Sequence, residues 1–81
     1  MKMYGSHLCP DVRDAIEILE KREVEFQFWD ITTDLSHLKA FLQIRDRSPL
    51  FDSVRDVGGI GIPCFEKDNG EITLDVEDVI E

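Results

Sequence analysis

The first third of the chain shows a helical spacing of hydrophobic residues after a short apolar start. Apolar positions recur at i, i+3, i+4 and i+7, on one face of a helix, at Val12, Ala15, Ile16 and Leu19. Pro10 suits the first helical position, because its missing N–H would lack a partner there anyway. The spacing therefore predicts a helix that starts at Pro10 and closes with Lys21 and Arg22, whose charges suit its negative end. Residues 1–4 before it are predicted to form a short strand.

An alternating pattern follows this helix and gives way to a second helical one. The side of the predicted strand that is half-buried holds Val24, Phe26 and Phe28. Trp29 falls on the alternate side, where we expect it to pack against a helix. Thr32, Thr33 or Asp34 is able to cap a second helix, and Ser48-Pro49 stops it. The inner face predicted for that helix holds Leu35, Leu38, Phe41, Leu42 and the aliphatic stem of Arg45.

The second half of the chain is rich in turn signals. Residues 50–56 are ambiguous between a helical turn and a loop, and glycines at 58, 59 and 61 lead to a short apolar strand over 62–65 that includes Pro63. Asp68-Asn69-Gly70 is a strong hairpin turn. The returning strand is predicted over residues 72–74.

A last short helix completes a recognisable order of elements. Asp75 is able to cap it, and its inward side chains are predicted to be Val76, Val79 and Ile80. The order is then β-α-β-α-β-β-α, in which a right-handed crossover makes the first two strands parallel and the hairpin is antiparallel. The pattern predicts an α/β protein with a four-stranded mixed sheet and helices on both faces, as a single domain over residues 1–81.

The net charge of the chain disfavours two classes of binding partner. It carries 18 acidic and nine basic side chains, a formal net charge of −9. Nucleic acid and anionic membrane surfaces are disfavoured, because both require Lys and Arg. No apolar run approaches the roughly 20 residues of a membrane helix, and no signal-peptide pattern is present. We therefore expect a cytoplasmic monomer with both cysteines reduced at rest, bound to neither nucleic acid nor membrane.

Cys9 is the residue most suited to act as a nucleophile. A free cysteine is mostly protonated at neutral pH, and hence a weak nucleophile, until its surroundings stabilise the thiolate. Cys9 comes directly before the first helical residue, where backbone N–H groups lack partners and the positive end of the helix dipole projects. Asp11 and the acidic chain oppose this effect. On these grounds Cys9 is either a reactive thiol or a small, inert capping residue.

The placement of two motifs resembles a known family. Cys9-Pro10 before the first helix, Ile62-Pro63 before the third strand, and the order of elements together resemble the glutaredoxins of the thioredoxin superfamily. The opening Tyr-Gly-Ser-x-x-Cys-Pro-Asp is similar to that of small bacterial glutaredoxin-related proteins. The resemblance implies a thioredoxin-like fold, Cys9 as nucleophile, a cis bond before Pro63, glutathione as co-substrate and no permanently bound cofactor. The substrate-binding or glutathione-binding positions that it implies are Ser6, Leu8, Pro10, Asp11, Ile62 and Pro63.

Departures from the family pattern leave two functions open. Val12 replaces the resolving cysteine of Cys-Pro-x-Cys, and Ser6 stands where a lysine commonly contacts glutathione. Gly61-Ile62-Pro63 replaces Thr-Val-Pro, and Thr73-Leu74-Asp75 replaces the Gly-Gly-x-Asp signature. A lone thiolate at Cys9 still permits exchange through mixed disulfides. The prediction is glutathione-dependent monothiol thiol–disulfide exchange with a glutathione or protein thiol/disulfide partner; the alternative is a non-catalytic binding module.

The remaining polar residues of interest receive simpler assignments. Ser6 and Asp11 are expected to be exposed and to rim a groove beside Cys9, and His7 is expected to be a solvated turn residue. Cys64 is expected to be a buried core thiol and not a resolving one. The spacing of the cysteines and of His7 and His37 matches no compact ligand motif, so no metal site is predicted.

Overall fold

The computed structural model describes residues 1–80, which contain four strands and three α-helices joined by turns and loops. The strands are β1 (Lys2–Gly5), β2 (Gln27–Asp30), β3 (Cys64–Glu66) and β4 (Ile72–Thr73). The α-helices are α1 (Pro10–Lys21), α2 (Leu35–Arg47) and α3 (Asp52–Asp56), and two 3₁₀ turns span Pro49–Phe51 and Val76–Val79. None of the helices in this part of the chain is long and apolar enough to cross a bilayer.

The strands form one mixed sheet in the order β2-β1-β3-β4. The neighbours β1 and β2 are parallel, as expected for two strands joined through α1, whereas β1–β3 and β3–β4 are antiparallel. Tyr4 in β1 lies opposite Trp29 on one side and Cys64 on the other. The predicted α/β class and the mixed four-stranded sheet are therefore confirmed.

Side chains of the sheet contribute to two separate hydrophobic clusters, because successive strand residues point to opposite faces. Met3 and Phe65 pack with the buried residues of α1, which are Val12, Ala15 and Leu19. Tyr4 and Cys64 pack on the other face with Ile31, Phe41 and Phe51. Helices cover both faces, as predicted. We call these clusters the α1-side core and the α2-side core.

The predicted inner face of α2 is partly wrong. Leu35 and Leu42 are 65% and 37% exposed, respectively, while Phe41 is fully buried and Leu38 and Ile44 are half-buried beside it. The cap is Asp34, whose side chain accepts a hydrogen bond from the Ser36 N–H at 2.9 Å. The hydrophobic positions of α2 occupy more than half of its circumference, so spacing alone did not identify the stripe that meets the sheet.

Several element boundaries also differ from the prediction. The strand β2 begins at Gln27, although Val24 and Phe26 still pack on the α1-side core. Residues 50–56, which the sequence left ambiguous, complete the first 3₁₀ turn and form α3. The last helix is only a 3₁₀ turn, capped as predicted by Asp75, which accepts from the Glu77 N–H at 2.9 Å. Four residues make too short a segment for a stable α-helix.

Candidate functional site

Cys9 occupies the N-cap of α1, as predicted. Its backbone is extended, with φ −93° and ψ 123°, and its carbonyl accepts a hydrogen bond from the Arg13 N–H at 3.1 Å. Its own N–H donates to the Ser6 carbonyl at 3.1 Å, which closes the turn between β1 and α1. The side chain is half-buried against the α1-side core, and its Sγ makes no capping hydrogen bond to the described first turn of the helix.

Ser6 lies inside the turn, so the expectation that it is exposed at a groove rim is wrong. Its side chain is only 3% exposed. The hydroxyl accepts from the Leu8 N–H at 3.1 Å and shares a hydrogen bond with the Thr32 hydroxyl at 3.2 Å. A buried hydroxyl needs such partners, and the loop after β2 supplies one of them.

Thr32 connects this turn to the end of β2, a role that the sequence analysis missed. Its N–H and hydroxyl both donate to Asp30 Oδ1, at 2.8 and 2.6 Å. These two hydrogen bonds hold the pKa of Asp30 below its usual range, and the one from the hydroxyl has the larger effect. The Asp-x-Thr spacing signals the local turn, but nothing local signals the contact with Ser6. Through this network β2 anchors the turn that presents Cys9.

Residues on the other side of the turn face solvent. Leu8 is 79% exposed, and Pro10 and His7 are exposed as well. The His7 ring stacks on Phe28 with 4.6 Å between ring centroids, and the Arg13 Nη1 donates to the His7 carbonyl at 2.6 Å. The prediction of a surface position for His7 is confirmed.

A groove of about 780 Å³ opens beside the first turn of α1. It extends along residues 61–63 and reaches residues 73–78. Asp11, Ile62 and Pro63 line it, whereas Ser6, Leu8, Pro10 and Cys9 itself do not, and Cys9 lies two residues before Asp11. The Ile62–Pro63 peptide bond is cis, the isomer that the resemblance implies. Cys9 and Ile62 both pack against the α1-side core at this end of the molecule.

The walls of the groove are apolar and its rim is acidic. Leu50, Val54 and Val57 contribute one wall, and their i, i+4, i+7 spacing is a helical signal that would have identified it. The acidic lining residues are Asp11, Asp14, Asp75 and Asp78. Among these, the sequence analysis singled out only Asp11 for the groove.

Cys64 is a core residue, as predicted. It is fully buried in the α2-side core, on the sheet face opposite to the cluster that Cys9 contacts. Burial, with a smaller contribution from the charge of Glu66, raises the pKa of its thiol to about 12. A thiol in this position is inert at neutral pH and unable to resolve a disulfide at Cys9.

Trp29 and His37 make contacts that hold α2 against the sheet. Trp29 packs against α2, as predicted, with its ring 4.5 Å from that of His37. His37 also lies 3.5 Å from the carboxylate of Asp34 through its Nε2. Within residues 1–80 no group of three or more His, Cys, Asp or Glu side chains is arranged to hold a metal ion.

The fold and site define a small α/β protein with a half-buried cysteine at a helix N-terminus and an acid-rimmed groove beside it. The chain is 32% identical over 74 residues to a protein of Haemophilus influenzae that is described as an uncharacterized protein. The alignment covers 91% of this chain and 86% of that protein. The chain therefore belongs to the same family as the Haemophilus influenzae protein. No family model and no solved structure matches the chain.

Proposed function

We propose that this protein carries out glutathione-dependent monothiol thiol–disulfide exchange through Cys9, on a thioredoxin-like fold of the glutaredoxin type. The observation that carries the proposal is the groove, which is bordered by the first turn of α1, residues 61–63 and residues 73–75. These segments lie far apart in the sequence. The resemblance places the nucleophile, Cys9, directly before the first of these segments, the cis proline in the second and contacts to a thiol ligand in the third.

The proposed reaction needs one protein thiol. The Cys9 thiolate attacks one sulfur of a disulfide; a mixed disulfide forms, the original S–S bond breaks, and the departing thiolate takes a proton from solvent. A second thiol, which we propose to be glutathione, attacks the mixed disulfide and releases Cys9. Pro10 begins the helix at whose positive end Cys9 lies, and Ile62 and Pro63 line the groove for the partner.

The absence of a resolving thiol near Cys9 supports a monothiol route over a dithiol one. Val12 is fully buried in the α1-side core, and a Cβ added at Gly5 would lie only 2.9 Å from its Cγ1. The Val12 side chain therefore fills space between α1 and β1. Because Cys64 lies on the other face of the sheet, a mixed disulfide at Cys9 has to be released by an external thiol.

The experiment is a rate comparison with a neutral disulfide, 2-hydroxyethyl disulfide, at neutral pH. The adduct is located by intact mass and peptide mapping, and N-acetylcysteinamide serves as the reference thiol. We expect Cys9 to react at least about tenfold faster than the reference, because it lies at the positive end of α1. The adduct should form in Cys64→Ala, be lost in Cys9→Ser, and be reversed by reduced glutathione. A Cys9 rate no higher than the reference would overturn the proposal.

One observation favours the alternative, a non-catalytic binding module with the same groove. Cys9 Sγ accepts no hydrogen bond from the described N–H groups of the helix start, so the helix acts on this thiol through its dipole and not through a hydrogen bond. The module would retain its partner in Cys9→Ser with unchanged affinity. Its Cys9 thiol would react no faster than the reference.

A further inference from the structure

We infer that the groove beside Cys9 selects cationic disulfides, and that its substrate is the disulfide of a basic peptide in which Lys or Arg flanks the cysteine. The inference rests on the proposed exchange at Cys9 and names the substrate class of that site. An anionic disulfide, glutathione disulfide included, is correspondingly disfavoured, so glutathione enters this scheme only as the thiol that releases Cys9.

The charge of the groove carries the argument. Asp11 and Asp14 project from α1, and Asp75 and Asp78 come from the C-terminal 3₁₀ turn and its cap. All four side chains are exposed at the surface. No Lys, Arg or His lines the groove, and none of these four aspartates has a salt-bridge partner within the described residues. Asp75 and Asp78 accept hydrogen bonds from the Glu77 N–H and the Thr73 hydroxyl, but no cationic side chain of the described residues neutralises the rim.

Nearby basic side chains are held in contacts outside the groove. Arg13, which shares the first turns of α1 with two of the aspartates, donates to the His7 carbonyl. Arg55 pairs with Asp52 and donates to the Arg45 carbonyl. These contacts keep the two guanidinium groups from neutralising the rim, so a ligand has to supply the positive charge.

The apolar walls explain why a peptide with Lys or Arg suits the groove better than a small cation. Such side chains combine an aliphatic stem with a charged end. Their stems match walls formed by Ile18, Val54 and Ile62, and their charged ends reach the carboxylates at the rim. A disulfide with carboxylate groups would place like charges together. The net charge of −9 acts in the same direction at longer range.

The covalent step is balanced by the substrate itself. The Cys9 thiolate attacks the sulfur of the cationic half, so a mixed disulfide with that half forms as the substrate S–S bond breaks. The other half leaves as a thiolate and takes a proton from solvent. The substrate disulfide is the oxidant, and no further electron acceptor is required.

Three small disulfides of similar length test this selectivity: cystamine, a dication; 2-hydroxyethyl disulfide, which is neutral; and 3,3′-dithiodipropionate, a dianion. The rate of adduct formation at Cys9 is divided by the rate of N-acetylcysteinamide with the same disulfide. At about 10 mM salt we expect the normalised cystamine rate to exceed the neutral one by about tenfold and the dianion to be slowest. The contrast should shrink at about 150 mM salt, because the screening length falls.

Matched variants separate the groove from the overall charge. Asp11→Asn with Asp14→Asn removes two charges from the rim, and Glu20→Gln with Glu25→Gln removes two exposed charges elsewhere. The cystamine-to-neutral ratio should fall severalfold in the first double variant and change little in the second. A cystine peptide with Lys on both sides of the cysteine should also form the adduct at Cys9 at a higher normalised rate than the same peptide with Glu in place of Lys.

The possible results distinguish the two proposals. Cys9 could react with the neutral disulfide faster than the reference thiol does, while the dication, the neutral disulfide and the dianion give equal normalised rates. In that case the proposed selectivity is wrong and the exchange function stands. Equal loss of preference in both double variants also overturns a groove-based selectivity. If Cys9 reacts with the neutral disulfide no faster than the reference thiol does, the exchange proposal fails, and the selectivity that rests on it fails as well.

Discussion

The two cysteines differ in surroundings that follow directly from their positions. Cys9 ends a turn and remains half-buried at the start of α1, whereas Cys64 is enclosed between β1, β3 and α2. The alternation of strand side chains puts Cys64 beside Tyr4 and away from the α1-side core. Of the two cysteines, Cys9 is therefore the one that a reagent in solution reaches in the folded protein.

Cys64 should remain unmodified in the native state. Its thiol pKa is raised from 9.0 to about 12 by burial, so iodoacetamide at mildly alkaline pH is expected to label Cys9 alone. Both cysteines should be labelled in denaturant. Because the folded pKa is the higher one, this thiol contributes stability that is complete below pH 9 and is lost as pH rises toward 12. Native labelling at Cys64, measured by peptide mapping, would contradict the assignment.

Substitution of Cys64 tests the apolar nature of its site. Cys64→Ser buries a hydroxyl in the α2-side core and is expected to lower the free energy of unfolding by about 1–3 kcal/mol. Cys64→Ala has no hydroxyl and should lose less. The two values are measured by urea denaturation. Equal losses would show that packing, and not polarity, sets the cost.

The loop between α3 and β3 passes close to an aromatic ring and so shapes one wall of the groove. Gly61 has φ +93°, and a Cβ added there would lie 2.7 Å from two ring carbons of Phe51. Gly58 also has a positive φ, +74°, but a Cβ added there meets nothing within 4 Å. Substitutions at Gly58 and Gly61 therefore distinguish the cost of backbone strain from the cost of a steric clash.

Alanine at these two glycines should have unequal effects. Gly58→Ala is expected to lower the free energy of unfolding by about 1–2 kcal/mol through backbone strain alone. Gly61→Ala adds the clash with Phe51, which raises the expected loss to about 2–4 kcal/mol. Urea denaturation of both variants measures the difference. Identical losses would mean that Phe51 moves away without cost.

For the molecule as a whole, net charge is the dominant electrostatic feature. The formal charge of −9 is spread over a body of 32 × 25 × 22 Å. The screening length is about 30 Å at 0.01 M salt, comparable to the molecule, and about 10 Å at 0.1 M. At low salt every acidic group therefore repels the others.

Added salt is accordingly expected to stabilise the protein. The Tm should rise by a few degrees, roughly 2–6 °C, between 0.01 and 0.15 M sodium chloride, because screening relieves the repulsion of the compact state. Salt also weakens the surface ion pairs, but exposed pairs contribute little each. A Tm that falls over this range in calorimetry would show that the ion pairs outweigh the net charge.

Local patterns were sufficient for much of the secondary structure. The Pro10 start of α1, the Asp34 and Asp75 caps and the hairpin turn before β4 agree with the sequence. Each depends on neighbouring residues, through fixed proline geometry, a side chain that accepts the next free N–H, or a turn that accommodates a positive φ. The N-cap position of Cys9 was predictable for the same reason.

The candidate site itself depends on residues that are distant in the sequence. Ser6 is buried because Thr32, 26 positions away, meets its hydroxyl. The face of α2 that packs inward is set by its contact with the sheet, and the acidic groove exists because α1 and the C-terminal turn border one cavity. Periodicity specifies which residues share a face, but the neighbour of that face is chosen by packing among all elements at once. For that reason the sequence led to Cys9, and the fold was needed to find the charged groove beside it.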